Sequence, residues 1–208
     1  MSKVKIAAIR MCAGSSSRMG KENKLLLKLN NVSAVRNTAR EISLAAFSEV
    51  INVTGFENNL LEEELEDFNF NTVRNCDFDK GFHSSIKVGV QRLSNDTEFF
   101  AICLGDQPAL QSHDYNFLLD TVETFKDKKL FQPMFKGMKG NPAIISTAFV
   151  KEILEHADDD RGCYYLFEKY PTDVMKVEMP NDSALLDIDT PEQYLKMKTR
   201  LDNRGIND

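Results

Sequence analysis

The chain has 208 residues, of which 42% are hydrophobic and 28% are charged, and its formal net charge at pH 7 is −6. This acidic balance argues against a general nucleic-acid-binding protein, because phosphate backbones are bound by basic surfaces. No apolar run approaches the roughly 20 residues that a membrane-spanning helix needs, and the apolar stretch near the start, interrupted by Arg10, carries no cleavage-site pattern. We therefore expect a cytoplasmic protein that binds neither nucleic acid nor membranes.

Short apolar runs alternate along the chain with segments of helical period. The predicted elements are strand 4–11, helix 33–47, strand 49–54, helix 58–67, strand 70–75, helix 84–93, strand 99–104, helix 112–125, strands 130–135 and 142–146, helix 147–156, an irregular helical stretch 163–170, strand 174–179 and a helix from Thr190. This alternation is typical of an α/β fold with a mainly parallel sheet. No repeat or linker interrupts it, so we expect one domain over residues 1–208.

The four cysteines, at positions 12, 76, 103 and 163, are far apart in sequence and form no CxxC pair. With only three histidines in the chain, this spacing favours neither a zinc site nor a disulfide framework. We expect all four cysteines to be structural, as small hydrophobic side chains commonly are.

A loop rich in glycine and serine, AGSSSRMG at residues 13–20, follows the first strand. Such a loop lets the backbone approach a ligand closely and can point its N–H groups at phosphate oxygens. Arg18 and Lys24 add positive charge, so the segment either holds an anion such as a triphosphate or is a flexible turn with two solvated cations. It matches neither the Walker A pattern nor GxGxxG.

Two aspartates follow predicted strand ends, where ligands bind in parallel sheets. Asp106 comes directly after the apolar strand 99–104, and Asp189 precedes the cap of the last helix at Thr190. Mg²⁺ typically takes one or two protein carboxylates together with phosphates and water, so either aspartate could be a ligand. The alternatives are an ordinary Gly-Asp turn and a simple helix cap.

Two further segments have both a structural and a functional interpretation. Ser84 and Ser85 could cap a helix or offer hydroxyls to a nucleotide base, and capping is favoured without further context. Residues 137–142 are typical of a turn that enters a strand. The acidic runs 62–64 and 158–160 are expected to be solvated surface, because three adjacent carboxylates do not converge on one ion.

Taken in order, these segments resemble the nucleotidyltransferases of the molybdenum cofactor group, especially the molybdenum cofactor cytidylyltransferases. The resemblance is carried by AGSSSRMG with Lys24 and the LLL after it, and by VTGFENN, NCDFDKGFHSSIKVGV, LGDQP, KGNPAIIS and LLDIDTPEQY. It implies a Rossmann-like nucleotidyltransferase fold, like that of the nucleotide-diphospho-sugar transferases, with three layers and a mixed, mostly parallel sheet. It also implies transfer of CMP from CTP to the terminal phosphate of molybdopterin or molybdenum cofactor, with release of pyrophosphate.

The resemblance implies roles for individual residues as well. Those expected in catalysis are Arg18, Lys24 and Asp106, and Mg²⁺ would be held by Asp106 and then by Asp189, with Asp187 as the alternative second ligand. The nucleotide would contact Ala13, Gly14, Ser15, Ser16, Ser17, Gly81, Ser84 and Ser85, and the acceptor would contact Gly140, Asn141 and Pro142. A phosphate monoester has a second pKa of ~6, so an acceptor phosphate is already ionised at neutral pH and needs no general base.

Three positions keep other substrates open. Ala13 before Gly14 resembles the cytidylyl members, whereas the spacing from Gly20 to Lys24 resembles the guanylyl members. Asn141 stands where pterin-using members have the histidine of Gly-His-Pro. Transfer of GMP or another nucleotide, a different phosphorylated acceptor, and a catalytically silent nucleotide-binding partner of a molybdenum hydroxylase are therefore the alternatives.

Overall fold

The computed structural model describes residues 3–16, 19 and 22–204. Its strands are β1 (Ile6–Cys12), β2 (Lys28–Leu29), β3 (Val32–Ser33), β4 (Glu49–Thr54), β5 (Asn71–Arg74), β6 (Phe99–Leu104), β7 (Leu130–Phe135), β8 (Met138–Lys139), β9 (Ala143–Ser146) and β10 (Val174–Glu178). Its α-helices are α1 (Ala34–Leu44), α2 (Asn58–Glu64), α3 (Phe82–Val90), α4 (Ser112–Thr124), α5 (Val150–Glu155), α6 (Tyr164–Lys169) and α7 (Pro191–Arg204).

Within these residues the main sheet has eight strands in the order β10-β7-β9-β6-β1-β4-β5, with β8 paired to β7. The neighbours β6–β1, β1–β4, β4–β5 and β7–β10 pair in parallel. Strand β9 pairs antiparallel with both β6 and β7, so it runs against the strands on either side. The predicted mixed, mostly parallel sheet is confirmed.

Helices cover both faces of the sheet, because the side chains of β1 alternate between two apolar clusters. Ile6 and Ala8 pack in one cluster with Ile42 of α1 and Leu118 of α4. Ala7 and Ile9 pack in the other cluster with residues of the opposite layer, which are Ile86 of α3, Ile153 of α5 and Leu166 of α6. The predicted three-layer architecture follows. In the described ranges, none of the helices combines the length and the apolarity needed to cross a membrane.

Most predicted elements are present, with differences at their ends. The predicted helix 33–47 stops at Leu44, because Ala45 adopts extended backbone angles (φ −81°, ψ 160°). The predicted helix 84–93 starts two residues earlier, at Phe82, directly after Gly81 with φ 105°. The predicted helix 147–156 is a 3₁₀ turn (Thr147–Phe149) followed by α5. The hairpin of β2 and β3 was not predicted from the sequence.

A fully buried guanidinium lies in the middle of β1. Arg10 donates hydrogen bonds to Asn52 Oδ1 (2.9 Å), to the Val35 carbonyl (2.7 Å) and to Thr38 Oγ1 (2.9 Å). The Thr38 hydroxyl in turn lies 3.2 Å from the carbonyl oxygen of Gly105, the residue before Asp106. The Nε of Arg10 and the amide nitrogen of Asn52 are buried without a partner in the described part of the chain. This polar network therefore connects β1 and α1 to the end of β6.

Three of the four cysteines are buried, and all four are free thiols. Burial raises the pKa of Cys163 to about 12 and also raises the pKa values of Cys12 and Cys103. Cys76 is exposed and is therefore the one of the four that is not enclosed in the protein.

Candidate active site

A cavity of about 660 Å³ opens where β1 and β6 end. Loop residues 13–16 follow β1, and Asp106 follows β6. Because the two strands are parallel, these residues lie at the same edge of the sheet and line the cavity together. Strand β9 runs the opposite way, so its amino end brings Asn141 to the same edge. The described lining includes, among the predicted site residues, Ala13, Gly14, Ser15, Ser16, Lys24, Gly81, Ser85, Asp106, Asn141 and Asp189. Ser17 and Arg18 lie outside the described residues.

The loop after β1 is held by hydrogen bonds from two other segments, one at Phe56 and one at Lys24. The Ala13 carbonyl accepts a hydrogen bond from Phe56 N (3.1 Å), and Ser16 Oγ accepts one from Lys24 N (3.1 Å). A Cβ added at Gly14 would meet no heavy atom of the described residues within 4 Å, so among these residues the space beside this glycine is open. The geometry leaves room for phosphate groups next to the loop backbone.

Lys24 lies between two carboxylates at the floor of the cavity. Its Nζ contacts Asp106 and lies 2.6 Å from Asp189 Oδ1, and the three side chains are 12% to 17% exposed. Burial alone would lower the pKa of Lys24, but the charges of Asp106 and Asp189 and their hydrogen bonds outweigh burial and raise it. The backbone also joins the two acidic segments, since Ile188 N donates to the Asp106 carbonyl (3.1 Å).

Asp187 faces the same cavity. Burial raises the pKa of its carboxyl, and the charges of Asp189 and Asp106 raise it further. Gln193 holds this segment, because its Nε2 donates to Asp187 Oδ1 (3.0 Å) while its Oε1 accepts from Asp189 N (2.9 Å). The structure thus places both candidate second ligands beside Asp106.

The donor set suits a hard divalent cation. In the described ranges no three His, Cys, Asp or Glu side chains already form a complete metal site. Asp106 and Asp189 nevertheless converge on the ammonium of Lys24, which shows that both carboxylates can contact one positive group between them. Two carboxylates completed by phosphate oxygens and water are a common Mg²⁺ environment, so the residues fit an ion that binds together with a triphosphate.

The two serines at the start of α3 differ in their surroundings. The Ser84 hydroxyl is buried, lies 2.8 Å from the Gly81 carbonyl oxygen and 3.0 Å from that of Asp77, and accepts a hydrogen bond from Asn75 Nδ2 (2.9 Å). Ser85 also accepts from Asn75 Nδ2 (2.9 Å), but it lines the cavity. The Ser84 hydroxyl is thereby engaged within the protein, and Ser84 is not part of the described cavity lining.

Alanine substitutions should separate these two roles. We expect Ser84→Ala to lower the free energy of unfolding by about 1 kcal/mol, because the hydrogen bonds of a buried hydroxyl are lost. Ser85→Ala should raise the KM for the nucleotide about 2- to 10-fold through the loss of one hydrogen bond, with little change in stability. Urea unfolding and initial-rate kinetics on both variants test this, and a larger KM effect for Ser84→Ala would contradict the assignment.

On the acceptor side, only Asn141 of the three predicted residues reaches the cavity wall. Gly140 is buried: its N–H donates to the Pro133 carbonyl (2.9 Å), and its carbonyl accepts from Gln132 Nε2 (2.8 Å). A Cβ at Gly140 would lie 2.6 Å from the Ala184 carbonyl oxygen. Gly140 therefore serves close backbone packing, and Pro142 is buried, so neither residue is part of the described cavity lining.

The acidic run 158–160 lies at the surface, as expected, with Asp158 and Asp160 exposed, but it also makes contacts that were not predicted. The Asp159 carbonyl accepts from His83 N (2.8 Å), Asp160 Oδ1 accepts from Phe82 N (3.2 Å), and Asp158 pairs with Lys87 (2.9 Å). These contacts hold the run against α3 and make Asp160 part of the cavity wall. The sequence feature that relates to this contact is Gly81, because a Cβ at this position would lie 2.8 Å from the Asp159 carbonyl oxygen and would prevent the close approach of the two segments.

Other lining residues were also missed by the sequence interpretation. Phe78 and Asp79 lie between β5 and α3, and Phe82 is the first residue of α3. The described lining is strongly acidic, since Lys24 is its one cation and its aspartates are Asp79, Asp106, Asp160, Asp187 and Asp189. A polyanion entering this cavity requires added positive charge.

Comparison with known proteins gives one family match and one curated relative. Residues 8–174 match the family described as MobA-like NTP transferase domain. The chain is 26% identical over 198 residues to the molybdenum cofactor cytidylyltransferase of Escherichia coli (strain K12), covering 94% of this chain and 96% of that protein.

Solved structures share the fold. Rv0371c from Mycobacterium tuberculosis H37Rv superposes with a TM-score of 0.82 at 20% identity, covering 95% of this chain and 100% of that chain. Its complex with manganese gives 0.77 at 18% identity, covering 94% and 99%. The 4-diphosphocytidyl-2C-methyl-D-erythritol synthase of Anaerococcus prevotii DSM 20548 gives 0.75 at 18% identity, covering 96% and 97%.

These matches confirm the predicted family resemblance and the Rossmann-like nucleotidyltransferase fold. The family match begins within β1 and includes the loop after it, Lys24, Asp106 and Asn141, which are the segments that build most of the cavity. The chain belongs to the MobA-like NTP transferase domain family and is a nucleotidyltransferase.

Proposed function

We propose that this nucleotidyltransferase moves CMP from CTP to the terminal phosphate of molybdopterin or molybdenum cofactor. The proposal is carried by one observation, the acidic pair Asp106 and Asp189 around Lys24, beside the open loop 13–16. The 26% identity to a molybdenum cofactor cytidylyltransferase along nearly the full chain supports this choice of substrates, as does the Ala13-Gly14 pair.

In the proposed reaction an oxygen of the acceptor phosphate attacks the α-phosphorus of CTP. A new P–O bond forms, the bond from the α-phosphorus to its bridging oxygen breaks, and pyrophosphate leaves. Because the attacking phosphate is already ionised, the chain needs no general base. Its task is to position two anions and to offset their charge.

The described residues divide this task by location. The backbone of residues 13–16 would receive the phosphates, and Gly81 and Ser85 would contact the nucleoside. Lys24 is placed to neutralise phosphate oxygens, and we assign the same role to Arg18. Asn141, across the cavity, would orient the acceptor.

We further propose that Asp106 and Asp189 hold Mg²⁺. When bound, the ion would neutralise charge on the triphosphate and on the departing pyrophosphate. The carboxylate donor set supports this assignment, and so does the existence of a manganese complex of a structural relative, Rv0371c.

The second candidate is transfer of CMP to a different phosphorylated acceptor. The observation that favours it is Asn141, since an amide occupies the place on the cavity wall where the pterin-using relatives are expected to have histidine. The structural likeness to an erythritol derivative synthase is compatible with such an acceptor.

Pyrophosphate release in a substrate panel separates these candidates. CTP, GTP, ATP and UTP are each combined with molybdopterin or with sugar and alcohol phosphates, with and without Mg²⁺. We expect turnover with CTP, molybdopterin and Mg²⁺ together. Turnover of a sugar or alcohol phosphate without turnover of the pterin would replace the primary proposal by the second candidate, and a GTP preference would move the function to guanylyl transfer.

A further inference from the structure

Lys24 occupies the position between the two carboxylates proposed as metal ligands. Its ammonium contacts Asp106 and lies 2.6 Å from Asp189. An ammonium group and a hydrated divalent ion compete for the same carboxylate oxygens. While Lys24 remains there, its ammonium occupies one oxygen of Asp106 and one oxygen of Asp189.

The local charge balance depends on this contact. Asp106, Asp187 and Asp189 face one cavity, and Lys24 is the one cation among the described lining residues. Without it, the repulsion between the carboxylates would have to be relieved by protonation or by a bound cation. The ammonium therefore offsets part of the negative charge of these three carboxylates.

The Lys24 side chain can leave the carboxylates without a change in the backbone. Its N–H donates to Ser16 Oγ (3.1 Å), and the short 3₁₀ helix that it starts is capped by Asn23, whose Oδ1 accepts from Leu25 N (3.1 Å). These contacts fix the main chain, whereas the four-carbon stem of lysine is flexible. The loop 13–16, where phosphates are proposed to bind, lines the same cavity.

We propose that Lys24 is an exchangeable internal cation that makes metal binding depend on the nucleotide. In the nucleotide-free protein its ammonium blocks Asp106 and Asp189. When the triphosphate binds, the ammonium moves to the phosphates and the carboxylates accept the divalent ion. The inference rests on the proposed metal-binding role of Asp106 and Asp189, and it orders the reaction: nucleotide before metal, or both together.

The test is a titration of nucleotide-free protein with Mn²⁺, with free Mn²⁺ followed by electron paramagnetic resonance. We expect the wild-type chain to bind Mn²⁺ weakly and Lys24→Met to bind it at least about tenfold more tightly, since one competing charge is removed. Lys28→Met is the matched control, because Lys28 is 54% exposed and pairs with Glu64. Its Mn²⁺ affinity should equal that of the wild type.

Two further variants keep the result interpretable. Thermal unfolding establishes that each variant is folded, and Lys24→Gln replaces Lys24→Met if the latter is not. Asp106→Asn combined with Lys24→Met should abolish the gain in affinity. If the wild type and Lys24→Met bound Mn²⁺ equally without nucleotide, and binding with CTP still required Asp106, the proposed exchange of Lys24 would be overturned. The proposed metal ligands would then stand. No Asp106-dependent Mn²⁺ binding under any condition would instead overturn the proposed metal ligands.

Discussion

Asp106→Asn is expected to reduce the rate of CTP-dependent pyrophosphate release by about 100-fold or more, which is typical of losing one electrostatic group in an active site. The substitution preserves size and removes the negative charge at the end of β6. Lys24 keeps its contact with Asp189, so the fold should remain intact. Initial rates at saturating CTP, together with the melting temperature, measure the two effects separately.

The matched control is Asp67→Asn. Asp67 is also paired with a cation, Arg36, but its side chain is 63% exposed and lies outside the cavity. We expect its turnover to stay within about twofold of the wild type, as is usual for an exposed ion pair. If Asp106→Asn retained wild-type turnover, the proposed metal-binding and catalytic role of this carboxylate would be lost.

Arg10→Met should lower the free energy of unfolding by about 2 kcal/mol. Removing the guanidinium leaves the Asn52 carbonyl oxygen buried without its donor, and such a loss is costly. The Val35 carbonyl loses one of its donors but still accepts from Thr38 Oγ1 (3.0 Å). In the described part of the chain no carboxylate pairs with the buried charge of Arg10. Because burying such a charge is unfavourable, its removal offsets part of the lost stability. Urea unfolding with a two-state fit gives the difference.

A double variant separates the two contributions. In Arg10→Met with Asn52→Leu, the orphaned amide is removed together with the charge, and we expect most or all of the lost stability to return. The Phe70 ring centre lies 5.6 Å from Arg10 Cζ. If the double variant were less stable than Arg10→Met, packing around this ring would contribute more to stability than the hydrogen bonding of the buried polar groups.

The sequence predicted the elements that carry a strong local signal. The apolar strand 99–104 is found at the predicted bounds, because a continuous apolar run of that length is buried on both faces of a sheet. Asp106 and the loop 13–16 were placed correctly at one edge, since both follow parallel strands.

The remaining features depend on contacts between distant segments. The direction of β9 is set by its pairing with β6 and β7, which periodicity does not reveal. Gly140 was assigned to the acceptor, but the demand for glycine comes from Ala184, far along the chain. Likewise, Asp160 becomes part of the cavity only because the backbone of its loop docks against α3.

The unequal burial of the thiols has a practical consequence for spectroscopy. A maleimide fluorophore added to the native protein meets one accessible sulfur, Cys76, because the other three are enclosed and ionise with difficulty. Cys76 directly follows Asn75, whose amide contacts Ser84 and Ser85 at the start of α3. The native sequence thus offers a single labelling position next to the cavity wall, without the removal of any other cysteine.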